Sequence, residues 1–117
     1  IAKIRHRIAF YGSTRTYMPI LALHGLQDLG LKLHRMSVEA KWGAMAAEVP
    51  EDVVQIFAAC GTYEHIADAI ATRYGGVADS IDVNFPADAP PGLVQEVVSD
   101  IKRIPHTFAG FDTNWQE

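Results

Sequence analysis

Residues 80 to 85 read Ser-Ile-Asp-Val-Asn-Phe, and Pro86 follows. Ile81, Val83 and Phe85 alternate with Asp82 and Asn84, the period-two pattern of a half-buried strand. No other segment carries that pattern clearly. A strand presents backbone donors and acceptors on both edges, and buried ones must be paired. A solitary strand therefore constrains the fold more than any helix. Its partner is expected in further chain, in a second copy, or in Ile8-Ala9-Phe10-Tyr11, a run that also reads as a buried strand.

The remaining patterns are helical. Ile1, Ile4, Ile8 and Tyr11 are spaced three, four and three apart, and Gly12-Ser13-Thr14 ends that segment. Thr16 is the expected cap of a second helix, with Pro19 in its first turn, where a missing N–H costs little. That helix carries Ile20, Leu21, Leu23 and His24 to Gly25. The chain is expected to bend at Gly25 and Gly30, which interrupt the apolar run Leu26, Leu29, Leu31 and Leu33. Ser37 is positioned to cap a helix striped by Val38, Trp42, Met45, Ala46 and Val49. Pro50 opens the next, with Glu51 and Asp52 in its first turn, where the macrodipole favours negative charge. Gly61-Thr62 breaks the chain, and Thr62 is expected to cap a helix through Ile66, Ile70 and Tyr74 that stops at Gly75-Gly76. A last helix carries Leu93, Val94, Val97, Val98, Ile101 and Ile104 and ends at Pro105. Residues 106–117 read as a loop tail docked through Phe108, Phe111 and Trp115.

The length of 117 residues suits one domain, taken as residues 1–105 plus the tail. A formal net charge of −4 argues against a nucleic-acid surface, which needs clustered Lys and Arg. Lys3, Arg5 and Arg7, with His6 among them, read as a solvated helix face. The single cysteine, Cys60, lies in the apolar run Ile56–Cys60 and reads as a small buried hydrophobe, in keeping with a reducing compartment and a cytoplasmic location. No apolar stretch approaches the ~20 residues of a membrane helix, and no apolar core of a signal peptide follows the basic start. His6, His24, His34, His65 and His106 include no pair four residues apart, so no metal site is expected.

Three stretches are distinctive in combination. The first is Ile8-Ala9-Phe10-Tyr11-Gly12-Ser13-Thr14-Arg15-Thr16-Tyr17 with Leu23-His24-Gly25. The second is Lys41-Trp42-Gly43-Ala44-Met45 with Val49-Pro50-Glu51-Asp52-Val53-Val54. The third is Gly61-Thr62-Tyr63-Glu64-His65-Ile66-Ala67 with Arg73-Tyr74-Gly75-Gly76. Their order and spacing resemble the C-terminal third of luciferase-like monooxygenases, above all the deazaflavin-dependent oxidoreductases, over residues 4 to 85. The weight lies in the concatenation rather than in any one motif.

The resemblance implies an α/β ancestry. The chain would be a C-terminal fragment of a (β/α)8 TIM barrel of about 250 to 350 residues, itself mostly α-helical with one or two strands. Ser80–Phe85 would be the last barrel strand and Leu93–Ile104 the last helix. The family binds flavin mononucleotide (FMN) or a deazaflavin such as coenzyme F-420, and performs hydride transfer or oxygen insertion. The earlier strands carry most of its cofactor contacts, so the isolated chain is expected to be inactive and to hold no cofactor.

Candidate site residues follow. His24 would lie near the barrel mouth as a proton donor, since imidazole titrates near neutrality; the alternative is a histidine serving helix-end carbonyls. Arg15 and Tyr17 would reach the pocket to bind cofactor, or else serve turn and core. Gly61 and Thr62 precede a helix N-terminus, which attracts phosphate, although Glu64 already brings negative charge; the alternative is a simple cap. Asp82 and Asn84 would face the barrel interior or solvent. The rival to an oxidoreductase is a non-catalytic helical remnant that survives as a homo-oligomer, expected to be a dimer, hiding its strand and apolar faces against another copy.

Overall fold

The computed structural model describes residues 1–108. Of the tail contacts expected above, Phe111 and Trp115 lie outside these residues. The chain falls into two compact units, the first spanning Ile1–Ala58 and the second beginning at Ala59.

Among the described residues there is no strand, which overturns the α/β expectation of a barrel fragment with one or two strands. Residues 80–86 are irregular, and among the described residues no backbone hydrogen bond joins residues 80–85 to another segment. Ile81 and Val83 are both more than a third exposed, so the alternation does not separate a buried face from a wet one. The proposed partner, Ile8–Tyr11, lies inside a helix, where i→i−4 bonding takes up its backbone groups. Without a ladder, an alternating pattern alone does not make a strand.

In the first unit, α1 (Ala2–Gly12) packs on α3 (Gln27–Val38), α4 (Trp42–Met45) and α5 (Glu51–Phe57). Its buried face is not the Ile1–Ile4–Tyr11 stripe but Ala9 and Gly12, with Ile8 half-buried. A Cβ on Gly12 would stand 3.0 Å from Leu33 Cδ1, so the missing side chain lets α1 and α3 close. Between them, a 3-10 turn (Arg15–Tyr17) leads into α2 (Met18–Leu23). Tyr17, not Thr16, holds the cap position of α2, and Pro19 lies in the first turn as expected. At its far end Leu26 N–H donates to Leu21 O at 2.9 Å and Gly25 N–H to Ala22 O at 3.0 Å. This is a Schellman ending, and Gly25 supplies its left-handed residue with φ 68°.

Gly30 does not bend the chain. It lies within α3, and a Cβ there would fall 2.6 Å from Leu21 Cδ1 and 2.9 Å from Met18 Sδ. It is a contact glycine between α2 and α3. The helix ends in a second Schellman arrangement, Lys41 N–H to Met36 O at 2.8 Å and Ala40 N–H to Ser37 O at 3.1 Å. Here the left-handed residue is Ala40, with φ 56°. That break divides the expected Val38–Val49 stripe: Val38 and Trp42 are exposed, and only Met45 and Val49 are buried. After α4, a 3-10 turn (Ala46–Glu48) also packs on α1, and α5 buries Val53 and Val54. Each fully buried Leu, Met or Val side chain contributes roughly 1.5–3 kcal/mol relative to exposure.

In the second unit, α6 (Ile66–Tyr74) packs on α7 (Pro91–Lys102), which starts as its pattern predicts but ends at Lys102, leaving Ile104 of the expected stripe beyond the helix. Ile70 and Val97 are its buried apolar residues among those described. At the end of α6, Gly75 lies so close to the last turn that a Cβ would be 2.4 Å from Ala71 O.

Candidate functional site

Arg15 and Tyr17 share the 3-10 turn between α1 and α2, and both are exposed. The turn is anchored from below by Ser13, which is 5% exposed. Ser13 N–H donates to Ala9 O at 3.0 Å and its hydroxyl to Phe10 O at 2.7 Å, so both its donors are used on α1. The Ser13 carbonyl meets His34 Nδ1 of α3 at 2.9 Å, and Arg15 Nε–H donates to His34 Nε2 at 3.2 Å. The carbonyl has only lone pairs and the arginine Nε only a proton. With these partners the ring donates from Nδ1 to the Ser13 carbonyl and accepts at Nε2 from Arg15.

Tyr17 stands edge-on to Tyr11 at 5.3 Å between centroids, Tyr11 to Phe10 at 5.6 Å, and Phe10 lies 6.2 Å from Trp42. These rings form a continuous row along α1, and each keeps at least 40% of its surface in contact with solvent. Edge-to-face pairs of this kind contribute about 0.5–1.5 kcal/mol each. The tyrosine is thus not the core residue of the blander sequence reading.

His24 occupies the residue between α2 and Gly25, where its N–H donates to Leu21 O at 3.1 Å. Its exposed ring rests edge-on against Phe57 of α5 at 5.4 Å and 82°. It belongs to the Schellman ending, and its imidazole is placed by an aromatic contact.

Gly61 and Thr62 lie in the second unit. Thr62 does not cap α6 with its side chain. The helix starts at Ile66 with His65 in the cap position, and the Thr62 carbonyl accepts from His65 N–H at 3.0 Å and Ile66 N–H at 2.9 Å. Gly61 packs against that turn, where a Cβ would stand 3.2 Å from His65 C and Ile66 N. Both residues line a cleft of about 230 Å³ whose other walls include Tyr63, Ile66, Phe85 and Pro86. A second cleft of about 300 Å³ shares Ile70, Val83 and Ile101 with the first and has Asp79, Lys102 and His106 among its lining residues.

The sequence reading missed His34. It is nineteen residues from Arg15 in the chain, and no local spacing marks the two as partners. It also left Asp82 and Asn84 open between interior and solvent, and both are exposed. Among the described residues no three His, Cys, Asp or Glu side chains gather as metal ligands, and no helix is long and apolar enough to cross a membrane.

Comparison with known proteins finds uncharacterized proteins of Mycobacterium bovis and of Mycobacterium tuberculosis, each 36% identical over 99 residues. The matched region is 85% of this chain and 29% of each relative. The chain thus spans under a third of the length of the curated relatives it matches. No protein-family model matches it, and no solved structure does.

Proposed function

We propose that this chain is a helical part of a longer luciferase-like oxidoreductase that uses FMN or a deazaflavin, and that the redox centre requires chain beyond these residues. The reading rests on the ordered run of motifs from Ile8 to Gly76. The part of it that concerns a longer protein is supported by the match of 85% of this chain to proteins of which it covers only 29%. Arg15 and Tyr17 are the residues best presented to a cofactor, being exposed and fixed on one turn. His24 is the candidate proton donor, and Gly61 and Thr62 the candidate cofactor contacts in the second unit. The parent reaction would be hydride transfer from a reduced deazaflavin or oxygen insertion by a reduced flavin, in the cytoplasm. Titrating the 117-residue chain and the longer protein with FMN and with the deazaflavin, followed by fluorescence, tests this. Binding is expected only in the longer protein. Micromolar binding by the short chain would contradict the reading, as would a longer protein that binds neither.

A second reading is a non-catalytic module that self-associates. It is favoured by the exposed row Phe10, Tyr11, Tyr17 and Trp42 and by Leu23, which is 84% exposed. Large exposed apolar groups that adjoin one another mark association surfaces. Light scattering on the eluting chain is expected to give a dimer on this reading, and a stable monomer would end it.

A further inference from the structure

We propose that Arg15 is an anion-binding residue for a phosphate- or carboxylate-bearing small molecule, and that His34 is the residue that positions it. The inference deepens the role given to Arg15 above but requires neither flavin nor redox chemistry.

Arginines on protein surfaces are commonly held by carboxylates, which cancel their charge; elsewhere in this chain Arg5 pairs with Glu51 at 2.6 Å and Arg103 with Asp100 at 3.3 Å. Arg15 is held instead by a lone pair of the His34 ring, which brings no carboxylate charge. The guanidinium is oriented, yet its full positive charge remains. The contact uses Nε alone, and among the described residues no partner occupies Nη1 or Nη2. Those two nitrogens form the end-on fork that matches an oxyanion in two parallel hydrogen bonds.

Orientation comes from a chain of fixed groups. Ser13 is buried and bonded twice to α1, its carbonyl fixes His34 Nδ1, and the ring then offers Nε2 to Arg15. The arginine has less rotamer freedom left to lose on binding than an unrestrained side chain would. A hydrophobic residue at position 34 would leave the charge in place but release its direction.

Inorganic phosphate and acetate are the probes, titrated into the full 117-residue chain while the Arg15 Nε–H resonance is followed by 15N NMR. At least one probe is expected to move that resonance saturably. Arg15→Gln should weaken binding about tenfold, the loss of one charge-assisted contact. His34→Leu should weaken it by roughly threefold and abolish the protected Nε–H signal. His34→Gln, which keeps a donor and an acceptor on one planar group, should restore both. The 15N signature of the His34 ring in the unsubstituted chain should report a hydrogen on Nδ1, a readout that survives if the leucine variant does not fold. The proposal is overturned if neither anion moves Arg15, if His34→Leu binds as tightly as the parent, or if the ring carries its hydrogen on Nε2. Because no flavin is used, failure here leaves the oxidoreductase reading standing, and failure of flavin binding leaves this one standing.

Discussion

The two units are built to different standards of packing. The first buries Ala9, Leu21, Leu33, Met45, Val49, Val53 and Val54, drawn from five helices and the segment before α5. The second, among its described residues, buries Ile70 and Val97 and leaves two open clefts around them. The difference has a local cause. In the first unit short helices follow one another with tight Schellman endings, and contact glycines let neighbouring helices close. In the second, residues 75–90 separate α6 from α7 without regular structure, so among the described residues the two helices have little else within their unit to pack against. Irregular backbone also keeps its polar groups near water, which limits how much apolar surface can be withdrawn around it.

Truncating one core residue in each unit should produce unequal losses of stability. Leu33→Ala should lower stability by about 3 kcal/mol, since Leu33 is 1% exposed and its cavity is walled by helices that cannot collapse far. Val97→Ala should cost about 1 kcal/mol, because fewer groups are lost and the cleft it lines leaves room to relax. Urea denaturation measures both, and equal costs would remove the distinction.

A pair of glycines sharpens it. Gly75→Ala should destabilise by roughly 1–3 kcal/mol, because its Cβ would meet the backbone oxygen of Ala71, which cannot move without unwinding α6. Gly30→Ala should cost less, about 1 kcal/mol. Its Cβ would meet the ends of the Leu21 and Met18 side chains, and an alanine within α3 regains about 1 kcal/mol of helix propensity. Thermal melts of the two variants check the order.

Ala40→Gly should stabilise the first unit by about 0.5–1 kcal/mol, because a left-handed residue at a helix end is strained unless it is glycine. A raised melting temperature is the expected result. The smallest effect is electrostatic. The hydrogen bond from Lys41 and its charge, with a further contribution from Arg35, hold the Glu39 carboxyl below its ordinary range. A depressed folded-state value adds stability above the unfolded-state value and loses it as pH falls through the folded one. Glu39 is exposed, where water screens such pairs. Glu39→Gln should therefore leave both the melting temperature and its acid dependence unchanged within error.

Helix positions were largely legible in the sequence. The Pro50 start, the Gly75 stop and the start of α7 at Pro91 are local signals with local causes and appear where the pattern puts them, while the α7 stripe read from Leu93 to Ile104 is helical only to Lys102. What failed was non-local. Ser80–Phe85 alternates as a strand does, but strand formation needs a second backbone, and no residue within the segment can specify one. Gly30 reads as a bend because a missing side chain looks the same in sequence whether it serves a turn or a contact. Of the candidate site, Arg15 and Tyr17 were visible as residues suited to binding. The pairing of Arg15 with His34 was not, since it depends on how α3 folds back beside the turn after α1.

Native-state hydrogen exchange on the 117-residue chain tests the central contrast most directly. The amides of Leu33, Val53 and Val54 should exchange slowest, and those of residues 80–85 should exchange at the rate of unstructured peptide. Protection of Ile81, Val83 and Phe85 comparable to that of Leu33 would mean that these residues belong to a hydrogen-bonded ladder, and would contradict the contrast between a well-packed first unit and an open second one.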